Sequence, residues 1–142
     1  MMRKLAAAAA LALTALIAPA HAQVDGTFEG TWAFQTQPYA AGPGTIALMS
    51  GAAIMRAESS GYAIQLLANE LVTQGGQSVI ITARQNCRGV NEAGQFTITC
   101  ELAEPLEGYQ PDVFILQAGE PDQLAGVLQS ASSGQVQFTR IR

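Results

Sequence analysis

The chain has 142 residues, 49% of them hydrophobic and 13% charged, with a net charge of −4. That composition excludes a disordered chain, and the length excludes a large multidomain enzyme. What remains is one small globular domain behind a leader.

The leader is read first. Arg3 and Lys4 form a positive start, and an uncharged Ala/Leu-rich stretch follows. Pro19 breaks that stretch, and Ala20-His21-Ala22 is an A-x-A cleavage site. Residues 1–22 therefore read as a cleaved signal peptide, with 23–142 as the exported domain, periplasmic or secreted. The apolar run is shorter than the roughly 20 residues a membrane helix needs, so no stable membrane anchor is expected. Cleavage after Ala22 removes Arg3 and Lys4 and leaves five Arg against 11 acids, a net charge of −6. An acidic domain without Lys is a poor partner for nucleic acid.

The same cleavage removes His21, the sole histidine. Triads that use an imidazole base and His-ligated metal sites are thereby excluded, and the lack of Lys excludes a Schiff base. No catalytic residue, metal or cofactor is expected.

Along the domain, short β-prone runs alternate with Gly, Pro, Ser and Asp. Strands are expected over 27–36, 44–49, 52–57, 62–73, 77–87, 95–103, 112–118, 123–130 and 135–141. The stretch 46–57 is rich in Ala, Leu and Met, and one helix there is the alternative to two strands. Tight turns are expected at Ser59-Ser60, Gly75-Gly76, Ala93-Gly94 and Ser132-Ser133-Gly134. Longer connections are expected over 37–43 and 104–111. Short links between successive strands predict an all-β fold: a single antiparallel meander closing into a small barrel of eight or nine strands.

Cys87 and Cys100 are the two cysteines, and export makes a disulfide the default. A two-residue turn at Ala93-Gly94 pairs Glu92 with Gln95, Val90 with Thr97 and Cys87 with Cys100. Counting outward from the turn makes the cysteines a non-hydrogen-bonded pair, where Cα atoms lie about 4.5 Å apart. That spacing accepts a bridge.

Alternation places Phe28, Gly30, Trp32 and Phe34 on one face of the first strand, and Val136, Phe138 and Arg140 on one face of the last. An inward guanidinium needs partners, and stacking on the Trp32 indole with hydrogen bonds to nearby carbonyls would be one solution. Gly30-Thr31-Trp32 near the start and Arg140 near the end together resemble the calycin group, the lipocalins and their relatives. The resemblance implies that Trp32 sits at the closed end of a barrel with Arg140 packed across it. The domain is also similar in length and start to the avidin group, but those sites use several Trp and this chain has one, which argues against biotin. Small periplasmic barrels that inhibit secreted proteases likewise combine a signal peptide, a G-x-W and one disulfide.

Phe34, Tyr39, Tyr62 and Tyr109 are the candidate ligand- or partner-binding residues. Tyr39 and Tyr109 fall in the two long connections, where function concentrates. The acidic stretch 101–112 holds Glu101, Glu104, Glu107 and Asp112 and reads as a solvated loop, since it matches no calcium-binding pattern. The expectation is a monomeric, non-catalytic binding protein of the cell envelope that holds a small apolar or amphipathic ligand in a barrel mouth. The alternatives are a protein-binding module working through its loops and a structural protein without ligand.

Overall fold

A computed structural model describes residues 27–142. The leader and its cleavage site lie outside the described residues. Nine strands follow in order: β1 (Gly30–Thr36), β2 (Tyr39–Gly42), β3 (Thr45–Glu58), β4 (Gly61–Gln74), β5 (Gln77–Glu92), β6 (Gln95–Leu102), β7 (Val113–Ala118), β8 (Gln123–Gln129) and β9 (Ser133–Arg140). Each strand pairs antiparallel with its successor from β2 to β9, and β1 pairs with both β9 and β3. That double pairing closes an eight-stranded barrel, with β2 as an extra strand on β3.

β1 and β2 are two halves of one broken strand. β1 pairs with β3 over Ser50 to Met55, and β2 takes over at Ala47 and Ile46. The break falls at Gln37 and Pro38, where a prolyl nitrogen has no hydrogen to donate to a ladder. Gln37 still donates its N–H to Gln135 O at 2.9 Å. The expected connection over 37–43 is thus largely strand, and Tyr39 belongs to a ladder rather than a loop.

The helix alternative at 46–57 does not form, and the two strands expected there are one. Gly51 is no break because it lies opposite Phe34, and an added Cβ would run into that ring and Leu67 O. The glycine makes room for an aromatic in the barrel core. The first strand starts at Gly30 rather than Thr27.

The hairpin register matches the one counted from the turn. Glu92 pairs with Gln95, Val90 with Thr97 and Cys87 with Cys100. Cys100 donates its N–H to Asp112 O at 3.1 Å, away from β5, so the two cysteines are a non-hydrogen-bonded pair. They are bridged, with Cα atoms 4.0 Å apart, and both face the interior.

Interior positions follow the period of two on every strand. Phe34 stacks on Phe138 at 5.0 Å, and both meet Phe114 edge-on. Met49, Ile64, Ile98, Leu116, Leu124 and Leu128 fill the space around them and are buried. The middle of the barrel is a packed core. β4 and β5 run on as a pair past β6 at one end, because β6 first pairs with β5 at Gln85.

Candidate functional site

The two ends of the barrel differ. At the end holding Gly30, Trp32 is fully buried, and its Nε1 donates to Phe28 O at 3.0 Å. The Phe28 ring lies 4.5 Å from Phe96 and 5.7 Å from Tyr62, and its N–H donates to Tyr62 Oη at 3.3 Å. Arg140 lies across the indole with its guanidinium carbon 4.4 Å from the ring centre. Its Nε donates to Asp122 Oδ1 at 2.7 Å, and its two terminal nitrogens donate to Glu29 O and Thr27 O. Gly30 has φ +129°, and a Cβ there would collide with Arg142 O. Every guanidinium nitrogen has a partner and the indole is buried beneath it, so this end is plugged. Asp122 as a partner of Arg140 carried no signal in the sequence.

The opposite end is open and polar. A cavity of about 260 Å³ lies there, lined by Tyr39, Met49, Glu70, Val72, Ile81 and Tyr109, with Glu107, Gln110 and Ser130 at its margin. Tyr39 is buried, and its hydroxyl donates to Glu70 Oε1 at 2.7 Å. Gly134 makes room for its ring, since a Cβ at that position would stand 2.8 Å from Tyr39 Cδ1. Tyr109 is half-buried and donates to Asp112 Oδ2 at 2.7 Å.

Asp112 is the unexpected residue. Glu101, Glu104 and Glu107 are exposed, as a solvated loop requires, but Asp112 is fully buried. It sits one residue before β7, in phase with inward-facing Phe114 and Leu116. Gln85 clasps it twice: Nε2 donates to Asp112 Oδ2 at 2.5 Å, and Oε1 accepts the Asp112 N–H at 3.0 Å. Its other oxygen, Oδ1, is buried with no hydrogen-bond partner among the described residues. Burial pushes the Asp112 carboxyl above the usual range, against the opposing pull of the hydrogen bonds from Gln85 and Tyr109. Burial also raises the Tyr39 and Tyr109 hydroxyls, helped by Glu70 and Asp112. Both phenols are neutral donors at any physiological pH.

The structure thus brings Tyr39 and Tyr109 together at one mouth and places Phe34 and Tyr62 elsewhere. Phe34 is in the mid-barrel aromatic cluster, and Tyr62 belongs to the plugged end. Neither lines the cavity. Sequence reasoning missed Glu70, Gln85 and Asp112. A signal existed: extending the phase of Cys87 back along β5 puts Gln85 inward, where a buried amide demands a partner.

A wider hollow of about 920 Å³ lies against the outer wall of β1, β8 and β9, lined by Ala33, Gln35, Val127, Gln137 and Thr139 among others. It holds no titratable side chain. Among the described residues no group of three or more His, Cys, Asp or Glu is placed to hold a metal ion, and no helix is long and apolar enough to cross a membrane. In comparisons with known proteins the chain matches no family model, no curated protein and no solved structure.

Proposed function

We propose that this protein is an exported, non-catalytic binding protein of the cell envelope that holds a small amphipathic ligand in the open mouth of its barrel. One observation carries the reading: a cavity of about 260 Å³ with apolar walls from Met49, Val72 and Ile81 and polar groups from Tyr39, Glu70 and Tyr109. Apolar burial supplies affinity at such a site, and a few fixed polar groups supply orientation. The cavity is small because the mid-barrel is filled with aromatic side chains. The occupant is therefore a short chain or single ring seated near the rim. Glu70 and Glu107 face it without any Arg, so a neutral or cationic head group suits the mouth better than an anionic one.

The Gly30-Thr31-Trp32 motif with Arg140 stacked on the indole supports a lipocalin-like reading of this barrel, in which one end is plugged and the other receives a ligand. The signal sequence and the interior disulfide support export to an oxidising compartment.

The test is native mass spectrometry of the protein exported from a native-like host, repeated after denaturation. The expected result is a native mass above that of the polypeptide, with the excess lost on denaturation. A bare polypeptide mass, together with no shift on adding short alkyl amines and alcohols, overturns the ligand reading. Trp32 serves as an internal control: it lies at the other end, so a mouth ligand leaves its emission unchanged.

A second reading, a protein-binding module such as a periplasmic protease inhibitor, is favoured by apolar side chains on the outside of the wall. Ile46, Ile54, Leu67 and Leu71 all project outward and are exposed. Under that reading the mouth holds no ligand and the native mass rises only with a protein partner.

A further inference from the structure

The barrel closes, yet it keeps one open stretch of strand edge. β5 begins at Gln77, but β6 pairs with it only from Gln85 onward. On the other side β5 pairs with β4 along this whole length, Gln77 with Gln74 through Ala83 with Ala68. The backbone facing of β5 alternates. Arg84 accepts the Ala103 N–H through its carbonyl, which fixes even-numbered residues as facing away from β4. The N–H and C=O groups of Ser78, Ile80 and Thr82 therefore point along an edge with no neighbouring strand among the described residues. Unpaired edges of this kind are templates for another strand, and natural proteins commonly guard them with charge, proline or bulges. Here residues 77–83 carry no charged residue, proline or bulge.

The side chains of this edge are apolar and exposed. Ile80 is 69% exposed and Val79 58%. Ile80 projects outward and ends a cross-strand row with Leu71 and Leu48, which pair across β5, β4 and β3. Val79 projects to the other face, next in phase to Ile81 at the mouth.

We propose that this edge pairs with the same edge of a second copy, giving a two-fold dimer centred on Ile80. The register follows from the facing of the backbone. A two-fold axis at Ile80 sets Ser78 opposite Thr82, Ile80 opposite Ile80 and Thr82 opposite Ser78. All three edge-facing residues of each copy are then hydrogen-bonded pairs. Moving the axis one residue toward Arg84 engages a carbonyl already taken by Ala103, and moving it toward Gln77 leaves Thr82 beyond the facing strand's last edge residue. The charge pattern agrees with a second copy as occupant. The chain is acidic, with a net charge of −4, but neither edge segment carries a charge to oppose its twin. Directly opposed residues in an antiparallel pair share a face. The outward row thus continues from Ile80 into Ile80 and Leu71 of the second copy, and Val79 packs against the second Ile81 on the mouth side. The two mouths are then neighbours on one continuous antiparallel sheet.

Such a contact is smaller than the roughly 800 Å² per partner of a standard interface, so the dimer is of micromolar affinity or weaker. It departs from the monomer that the sequence leads one to expect.

The test is sedimentation velocity of the oxidised, exported protein from about 1 µM to about 1 mM, the range in which a small interface associates. The expected result is a monomer that becomes a dimer as concentration rises. Ile80→Lys sets two like charges against each other on the axis and is expected to weaken association at least about tenfold. Ile80→Pro removes an N–H that the barrel does not use and has the same expected effect. Unchanged melting transitions show that both variants fold. Register is tested by oxidative cross-linking: Ile80→Cys is expected to form a covalent dimer about tenfold faster than Val79→Cys, whose twin is not opposite it. Wild-type protein that stays monomeric throughout, a dimer indifferent to both Ile80 substitutions, or equal cross-linking rates would each overturn the proposal.

Discussion

The plugged end and the mouth use the same kinds of side chain for opposite purposes. Each places aromatic side chains beside a charged one. At the plugged end Arg140 is committed through Asp122, Glu29 O and Thr27 O, with the Trp32 ring beneath it. At the mouth Asp112 Oδ2 accepts two hydrogen bonds, while Oδ1, also buried, has no partner among the described residues. The first arrangement gives each nitrogen of the guanidinium a protein partner. The second holds a carboxyl against its preferred ionisation and lines a cavity beside it. Completeness of polar satisfaction, rather than residue type, separates the structural end from the candidate site.

The comparison breaks most sharply at Trp32. Trp32→Ala empties the plug and removes the surface that Arg140 stacks on. A loss of about 3–5 kcal/mol is expected, a large fraction of a small domain's stability. Urea unfolding followed by far-ultraviolet circular dichroism measures it, and a loss below about 1 kcal/mol would show that the plug is not a keystone of the fold. Next in size is the bridge between the ends. Replacing both cysteines by Ala, Cys87→Ala with Cys100→Ala, is expected to cost about 3 kcal/mol, the value for a short closed loop. Alanine is chosen because both positions face the core, where a serine hydroxyl would add its own burial cost.

Much of this was legible in the sequence, and what was not has a physical reason. The β5–β6 register followed from one turn, because a period of two and a two-residue loop leave no freedom. Alternation puts Trp32 on the inward face of the first strand, and the structure buries it. The gap expected between 49 and 52 is absent because a glycine in a β-prone run marks a break or a close approach alike, and only the position of Phe34 decides between them. Asp112 misled because the three glutamates before it set the expectation of a solvated loop. Its inward phase appears only when β7 is counted back from Phe114. Tyr39 looked exposed because Gln37 and Pro38 interrupt the first strand, and nothing local shows that the ladder resumes beyond them.

The burial of Asp112 sharpens the comparison through pH. Its carboxyl titrates higher in the folded protein than the ordinary value of 3.8. The folded state therefore binds more protons than the unfolded state above that value, so stability falls as pH rises from about 4 toward the folded-state pKa. Asp112→Asn removes the titration and keeps an oxygen to accept from Gln85 and Tyr109. The variant's melting temperature is expected to be flatter than the wild type's across this acidic window. Parallel curves would show that Asp112 is not a source of the slope.

The smallest expected effect comes from making one chemical change at both ends. Tyr62→Phe deletes the hydroxyl that accepts the N–H of buried Phe28. That donor then has no partner in a dry region, and a cost of about 1–3 kcal/mol follows. Tyr39→Phe deletes a hydroxyl that donates to Glu70 Oε1 at 2.7 Å. Glu70 is only partly buried at the rim, so water replaces the lost donor and the expected cost is below about 1 kcal/mol. The order reverses for binding. Tyr39 lines the cavity and Tyr62 does not, so Tyr39→Phe should weaken a mouth ligand while Tyr62→Phe leaves its affinity unchanged. A pair of thermal melts with a ligand titration on each variant reads both orders at once. If Tyr39→Phe proves the more destabilising and leaves ligand affinity intact, the mouth is a second plug, and its cavity is a packing gap rather than a site.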